Sequence, residues 1–172
     1  SGINDNGSGA NGAVAWCWKA GGTAVTNNDG SIASQVSANQ EAGFSIVTFT
    51  GTGSAGTIGH GLGKAPAWVI TKRRNADQAW FTHHISLNNG HYLRLNATNA
   101  PGGDTNVYPN NMSTTNTFAV GGDDGVNGNG STYVSYCWAE IPGYSKMGSY
   151  KGNGNNDGTF IFTGFRPAFL IA

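Results

Sequence analysis

Apolar residues alternate with small polar ones in short runs along most of the chain, as they do in half-buried β-strands. In residues 44–50, Phe44, Ile46 and Thr48 share one face, while Val47 and Phe49 share the other. Similar runs, separated by turns rich in glycine and asparagine, predict strands at residues 13–19, 44–50, 67–72, 79–86, 91–96, 117–121, 132–140, 159–163 and 168–171. Many short strands with almost no helix signal predict an all-β fold, an antiparallel β-sandwich with jelly-roll-like or Greek-key connections.

A long stretch of the chain occurs twice. Residues 43–72 read GFSIVTFTGTGSAGTIGHGLGKAPAWVITK, and residues 143–171 read GYSKMGSYKGNGNNDGTFIFTGFRPAFLI. Pro66 corresponds to Pro167, an offset of 101 positions (167 − 66), and the AWVI that follows the first proline becomes AFLI after the second. The sequence therefore predicts a tandem pattern with a period of about 100 residues.

The similarity extends upstream of both copies. The hexapeptide AWCWKA at residues 15–20 resembles SYCWAE at residues 135–140, so Cys17 and Cys137 occupy equivalent places, each followed by tryptophan. Equivalent positions in stacked units usually point the same way. We therefore expect both cysteines to be small, buried, apolar residues rather than the two halves of a disulfide.

The repeat suggests how the chain is divided, within one β-sandwich domain that we expect to span residues 1–172. The parts are the tail of a repeat unit (1–20), a main unit (21–142) that contains a loop insert (21–42), and the start of a second unit (143–172). The insert is inferred because 26 residues lead from Cys17 to the first copy, whereas six lead from Cys137 to the second. We expect the closing strand of the second unit to pack on the N-terminal Trp16-Cys17-Trp18 strand or on a neighbouring subunit.

Composition restricts the class of protein. Glycine accounts for 28 of the 172 residues, and only 10% of residues are charged while 11% are aromatic. This balance is typical of a β-rich extracellular or virion surface rather than of a disordered chain. Nine basic and nine acidic residues cancel, and no apolar run reaches the length of a membrane span. We therefore expect neither a nucleic-acid partner nor membrane insertion.

Residues that carry catalysis are sparse. The chain has no G-x-S-x-G motif for a serine nucleophile, and its only glutamates are Glu41 and Glu140. The glycine-rich stretch at residues 51–63 does not have the arrangement of a phosphate-binding loop, in which a lysine and then a serine or threonine follow the last glycine. We therefore expect a protein that is not an enzyme and that needs no cofactor.

The histidines offer one metal hypothesis. His83, His84 and His91 belong to one predicted hairpin, whose turn is Asn88-Asn89-Gly90, and a tight turn places His84 and His91 on the same face. A three-histidine metal site is the alternative to hydrogen-bonded surface groups, and the second interpretation is favoured. His60, flanked by glycines, is interpreted as a residue of a surface loop.

Exposed aromatic rings on a polar β-scaffold suit sugar binding, because ring faces stack on the C–H surfaces of sugars. Trp80, Tyr92 and Tyr108 are the candidate glycan-binding residues. The alternative for each of the three is a place in the core or in a subunit contact.

Five motifs in order carry a family resemblance: WKAGGTAV, GFSIVTFTGTG, GHGLGKAP, YCWAEIPGYSKMGSYKGNG and GFRPAF. On these motifs nearly the whole chain resembles the repeated domain of uncharacterised function found in tail-fibre-like virion proteins of marine and other tailed phages. The resemblance implies a structural or adhesive protein located in the virion. That family brings no established catalytic residues, so none is transferred to this chain.

The resemblance and the residues together predict a virion component, part of a tail fibre or host-attachment apparatus. Its expected partners are further copies of itself, with a trimer favoured, other virion proteins, and a host surface glycan. The alternative is a secreted, lectin-like carbohydrate-binding module of a bacterium. A glycosidase comes third.

Overall fold

The computed structural model describes residues 16–172, and these contain ten strands and one short helix. The strands are β1 (Val25–Asn27), β2 (Ser34–Asn39), β3 (Phe44–Thr50), β4 (Gly56–Gly59), β5 (Trp68–Arg73), β6 (Phe81–His84), β7 (His91–Arg94), β8 (Gly102–Gly103), β9 (Thr117–Val120) and β10 (Thr132–Trp138). The helix α1 (Asp124–Asn127) precedes β10. Within residues 16–172 no helix has the length and apolar character of a membrane span.

The strands form two layers. Eight of them make one sheet in the order β1-β2-β3-β10-β5-β6-β7-β8, and β4 pairs with β9 in a second, smaller sheet. All of these pairings are antiparallel. Strands β5, β6 and β7 follow one another, and β10 returns by a long connection to lie beside β5, which is a Greek key. The prediction of an all-β antiparallel sandwich is confirmed.

The core lies between the two layers. Val47, Val69 and Cys137 point inward from β3, β5 and β10, and they meet Ile58 and Phe118 from the small sheet. All five side chains are fully buried. The alternation predicted for residues 44–50 and 132–140 is therefore the one observed, with one set of side chains in this core and the other set on the opposite face of the sheet.

Residues 21–42, expected to be a loop insert in which small strands could form at Ala24-Val25, Ile32 and Val36, contain β1 and β2. Ser34 and Val36 point into the core and are buried, while Gln35 between them is exposed. Val36 faces Val47 across the β2–β3 pair, and Ile32 bridges to Ile58 of the small sheet. Because most residues of β2 are small or polar, this period of two is not evident in the sequence. Pairing with β3 determines the strand conformation.

Among the described residues, no strand forms near either end of the chain, where strands were expected. Residues 13–15 lie outside the described residues, and Trp16 to Lys19 form no strand. Residues 159–163 and 168–171, predicted as strands, are neither helix nor strand and are largely exposed. The corresponding strands of the first copy, β4 and β5, pair with β9 and β10 downstream, and no described strand follows the second copy.

Smaller differences concern single elements. The strand expected at residues 79–86 is shorter, and β4 was not predicted because Ile58 is its only large apolar residue. The connection between β9 and β10 contains α1, whose N-terminal amide at Gly125 donates to the Asp123 side chain at 2.7 Å. None of these differences changes the layer arrangement.

A buried asparagine at the end of α1 joins two neighbouring loops. The side-chain oxygen of Asn127 accepts from the Thr52 amide at 2.9 Å, and its side-chain nitrogen donates to the carbonyls of Ser54 and Gly121 at 2.8 and 2.7 Å. The residue is completely buried. Asn127 therefore ties the turn after β3 to the end of β9.

The substitution Asn127→Ala is expected to destabilise the protein by about 3 kcal/mol or more. The substitution leaves the buried Gly121 carbonyl without a partner, at a cost of about 1–3 kcal/mol, and it removes the partly buried bonds to Thr52 and Ser54, worth about 0.5–1.5 kcal/mol each. Urea denaturation followed by tryptophan fluorescence measures the loss. The matched control, Asn129→Ala, changes an exposed asparagine two positions away and should alter stability by less than about 0.5 kcal/mol. Equal effects of the two substitutions would contradict this role.

Candidate functional site

The outer side of the large sheet carries a second group of apolar side chains. We call it the aromatic face; it consists of Trp18, Phe44, Trp68, Trp80, Tyr136 and Trp138. Side chains along a strand point alternately to the two faces of a sheet. The strand residues that lie between core-facing positions therefore point to this outer face. Trp138 of β10 lies directly opposite both Phe44 of β3 and Trp68 of β5 in the strand register.

The rings of the aromatic face are in mutual contact. Trp68 stacks on Trp138 with ring centroids 4.6 Å apart and an interplanar angle of 25°. Tyr136 lies 6.3 Å from Trp138 and stacks on Trp80 at 6.4 Å and 15°. These spacings are within the range of favourable aromatic pairs. The rings form a row across β5 and β10, in the order Trp80, Tyr136, Trp138 and Trp68.

The two ends of the described chain cover one side of this row. Trp18 meets Trp138 edge-on, with centroids 5.6 Å apart and an interplanar angle of 76°, and it also lies 6.2 Å from Phe44. Phe169, near the C-terminus, lies 5.9 Å from Trp18 and 6.1 Å from Trp16. The contact between the C-terminal segment and Trp16-Cys17-Trp18 therefore exists, but through rings and not through strand pairing.

Two indole N–H groups beneath this cover differ in their partners. Trp68 Nε1 donates to Thr82 Oγ1 at 2.6 Å. Trp138 Nε1 is buried, and among the residues that the structure describes it has no hydrogen-bond partner. A buried donor without an acceptor is destabilising.

The three candidate glycan-binding residues are not brought together. Trp80 is 38% exposed and belongs to the aromatic face. Tyr92 packs on Phe81 of the core at 5.3 Å, with the Arg94 guanidinium over both rings. Tyr108 is completely buried, and its hydroxyl donates to the Phe81 carbonyl at 3.3 Å. Tyr108 is therefore not a surface residue, and burial raises the pKa of its phenol.

The other strand-borne rings of the aromatic face, besides Trp80, were not predicted from the sequence. Tyr136, Trp68 and Trp138 occupy alternate positions of two predicted strands, but nothing in the sequence indicated that these strands lie side by side. One sequence signal could have indicated that these two strands are paired. Trp68 begins β5 and Trp138 ends β10, so an antiparallel pairing of the two strands brings the tryptophans together.

The hairpin histidines lie on both sides of the sheet. His83 points toward the core, where its ring lies 5.9 Å from Tyr108, and its Nδ1 lies 3.0 Å from the His91 carbonyl. His84 follows on the opposite face and accepts from the Ser86 amide at 3.1 Å. Burial lowers the pKa of both rings. Within residues 16–172 no three His, Cys, Asp or Glu side chains lie close enough together to hold a metal.

The two cysteines differ in environment. Cys137 is completely buried, as expected, and burial raises the pKa of its thiol to about 12. Cys17 is exposed, contrary to expectation, because residues 16–20 lie over the sheet and not within it. Both thiols are free.

His60 lies in the loop after β4, as expected, but it is completely buried, so the expectation that it is a surface group is wrong. Its Nδ1 accepts from the Leu62 amide at 3.1 Å, and its Nε2 lies 3.2 Å from the Thr114 carbonyl. This pair of contacts requires a neutral ring that carries its proton on Nε2. Burial accordingly lowers the pKa of His60.

The comparisons with known proteins add one finding. The model of a family described as a domain of unknown function, DUF7483, matches residues 1–172. The chain belongs to the DUF7483 family. No curated protein and no solved structure matches it.

Acidification is expected to destabilise this DUF7483 domain. The pKa of His60 is lowered from 6.5 by burial, so the unfolded chain takes up a proton at a higher pH than the folded chain does. The stability from neutral His60 is fully present above about pH 6.5 and is lost as the pH falls toward the lowered pKa, at up to ~1.4 kcal/mol per pH unit. Urea denaturation between about pH 8 and pH 5 measures this slope.

The substitution His60→Gln should reduce that slope, because glutamine donates and accepts without titrating in this range, while the buried rings of His83 and His84 keep the remainder. The matched control is Gln40→Ala, which changes an exposed, non-titrating residue whose side chain donates to the Gly61 carbonyl in the same loop, and which should keep the wild-type slope. Wild-type and His60→Gln slopes of the same size would show that another group causes the acid sensitivity.

Proposed function

We propose that this protein is a non-enzymatic structural component of a tailed-phage virion, part of a tail fibre or host-attachment apparatus. The observation that carries the proposal is the aromatic face together with the exposed apolar side chains of the C-terminal segment. Phe160, Phe162 and Leu170 are 86%, 79% and 74% exposed, and Trp16 is 58% exposed. An apolar surface of this kind is typical of a protein that is covered by partners in an assembly.

Two further features support an assembly role. The chain has a formal net charge of zero, so copies of it do not repel one another at neutral pH. Three side chains of types that often act in enzymes are engaged in structural contacts. The rings of His60 and His83 contact backbone carbonyls, and Cys137 is enclosed in the core. Because the motifs resemble those of tail-fibre repeats, we propose that this assembly is located in the phage particle.

Labelling of intact particles tests the proposal. Antibodies against this chain, applied to purified particles of the phage that encodes it, are expected to mark the tail or its fibres in electron micrographs. Mass spectrometry of the same particles should detect the chain at several copies per particle, as repeated fibres require. Particles that lack the chain would contradict the virion assignment, whatever its assembly in solution.

Glycan binding is the second function that a specific observation favours. Trp80 presents an exposed indole on a protein face, stacked on Tyr136, and a flat exposed ring is the usual platform for a sugar. Of the three original candidates, only Trp80 has this geometry. We therefore place a host-surface glycan against Trp80 and Tyr136.

The substitution Trp80→Ala is expected to weaken binding to glycans of the host surface about tenfold, which corresponds to ~1.4 kcal/mol of lost ring stacking. The measurement is a glycan array followed by titration calorimetry. Leu95→Ala is the matched control, since Leu95 is 50% exposed and its amide donates to the Trp80 carbonyl at 3.0 Å. An array on which the folded protein binds nothing would overturn the glycan site. A light-scattering mass of one chain, together with sugar binding, would favour the lectin-like module.

A further inference from the structure

A groove lies beside the aromatic face, on the outer side of the large sheet. Outward-facing side chains of β2 and β3 form its floor, residues 19–24 form one wall, and its volume is about 970 Å³. Sites for small molecules in proteins have volumes of about 300–1,000 Å³, so the groove has room for a ligand larger than one sugar ring. We call it the β2 groove. In the part of the chain that the structure describes, it is open to solvent along one side.

The wall of the β2 groove is fixed to the sheet. Ser37 Oγ donates to the Gly22 carbonyl at 2.7 Å. Asn39 Nδ2 likewise donates to the Lys19 carbonyl at 3.2 Å. Between these two bonds, Gly21 approaches the β2 backbone so closely that a Cβ atom there would overlap a carbonyl oxygen. A wall held in this way needs little reordering when a ligand binds, which lowers the entropic cost of binding.

The β2 groove and the aromatic face are continuous. In the strand register, Tyr136 of β10 lies opposite Ile46 of β3, and Ile46 lies opposite Ser37 of β2. Two strand spacings of about 4.8 Å place Ser37 about 10 Å from Tyr136. Trp80, which directly precedes β6, stacks on Tyr136 from the opposite side, so Tyr136 lies between Trp80 and the groove. A single sugar ring is too small to contact Trp80 and the groove together, whereas a short chain of rings reaches both.

The chemistry of the groove suits an uncharged glycan. Gln35 and Thr48 lie opposite each other in the β2–β3 pair and supply an amide and a hydroxyl to the floor. The Gln35 amide nitrogen donates to Thr26 Oγ1 at 2.9 Å, which holds the amide in place and leaves its oxygen as an acceptor. The charged residues of the lining are one basic and one acidic, Lys19 and Glu41, so the groove has no net charge that would attract a phosphate or a sulfate.

We propose that the β2 groove and the Trp80–Tyr136 pair form one extended site for an uncharged oligosaccharide. One sugar unit stacks on Trp80, and the following units run past Tyr136 into the groove, where Gln35 and Thr48 form hydrogen bonds with their hydroxyl groups. The proposal rests on the glycan binding proposed above. It adds the class of glycan and the part of the surface that distinguishes a chain of sugars from a single one.

A length series tests the extended site. The test glycans are unbranched chains of one to six units of glucose, galactose, mannose or N-acetylglucosamine, printed on an array and then titrated by calorimetry. We expect the affinity of the wild-type protein to rise about tenfold or more from one unit to four, because the longer chains reach the groove. Trp80→Ala should weaken the binding of every length about tenfold, since its ring is the platform for the first unit. Sulfated forms of the same glycans should bind no better than the neutral ones.

The double variant Gln35→Ala/Thr48→Val should weaken the binding of four-unit glycans about tenfold and leave the binding of one unit unchanged, because each lost hydrogen bond costs roughly two- to tenfold in affinity. Valine keeps the shape and the strand preference of threonine, so β3 is retained. The matched control is Thr50→Val, the same substitution on the same face of β3, at an exposed position outside the groove lining, and it should bind every length like the wild type.

Other outcomes overturn the proposal. Equal affinity for one and four units, or a double variant that binds four units like the wild type, would show that the groove takes no sugar, while the effect of Trp80→Ala still tests the platform at Trp80. Tighter binding of the sulfated forms would overturn the uncharged class. Folded protein that binds none of these glycans would overturn the extended site and the glycan function together. Far-UV circular dichroism checks that each variant is folded.

Discussion

The structure depends on the insertion of β10 between β3 and β5. This strand begins at Thr132, more than eighty residues after the start of β3 at Phe44, so the central pairing is entirely non-local (132 − 44 = 88). It sends Tyr133 and Cys137 into the core between the sheets and Tyr136 and Trp138 to the aromatic face. Both faces are therefore built on one strand, and neither can form before the chain has returned to it.

An antiparallel sheet in a sandwich usually buries one face and exposes polar residues on the other. Here the second face is also apolar at its centre, and the chain covers only part of it, with Trp18 and Phe169. This is the physical basis of the assembly role proposed for the protein. The aromatic face and the exposed C-terminal segment are unfavourable in a lone chain, and both become favourable when a partner excludes water from them.

Much of the fold could be predicted where periodicity is strong. The run at residues 44–50 and the two faces of residues 132–140 are found as expected, because large residues alternate there with small ones. Strand β2 was missed since Ser34 and Ala38 are weak markers of an inward face. The aromatic site was predicted in part: Trp80 lies in it, whereas Tyr108 is enclosed by the core, and ring size alone does not distinguish the two cases.

By itself, the sequence determined the all-β class, the positions of the main strands, and which side chains share a face. These are local properties, readable from neighbouring residues. Only the tertiary structure decided which face is covered, which strands are neighbours, and that His60 and Tyr108 are buried while Cys17 is exposed. Burial depends on segments that arrive from elsewhere in the chain. The C-terminal segment shows this most directly, since residues 159–163 and 168–171 carry apolar runs typical of strands but have no paired strand beside them.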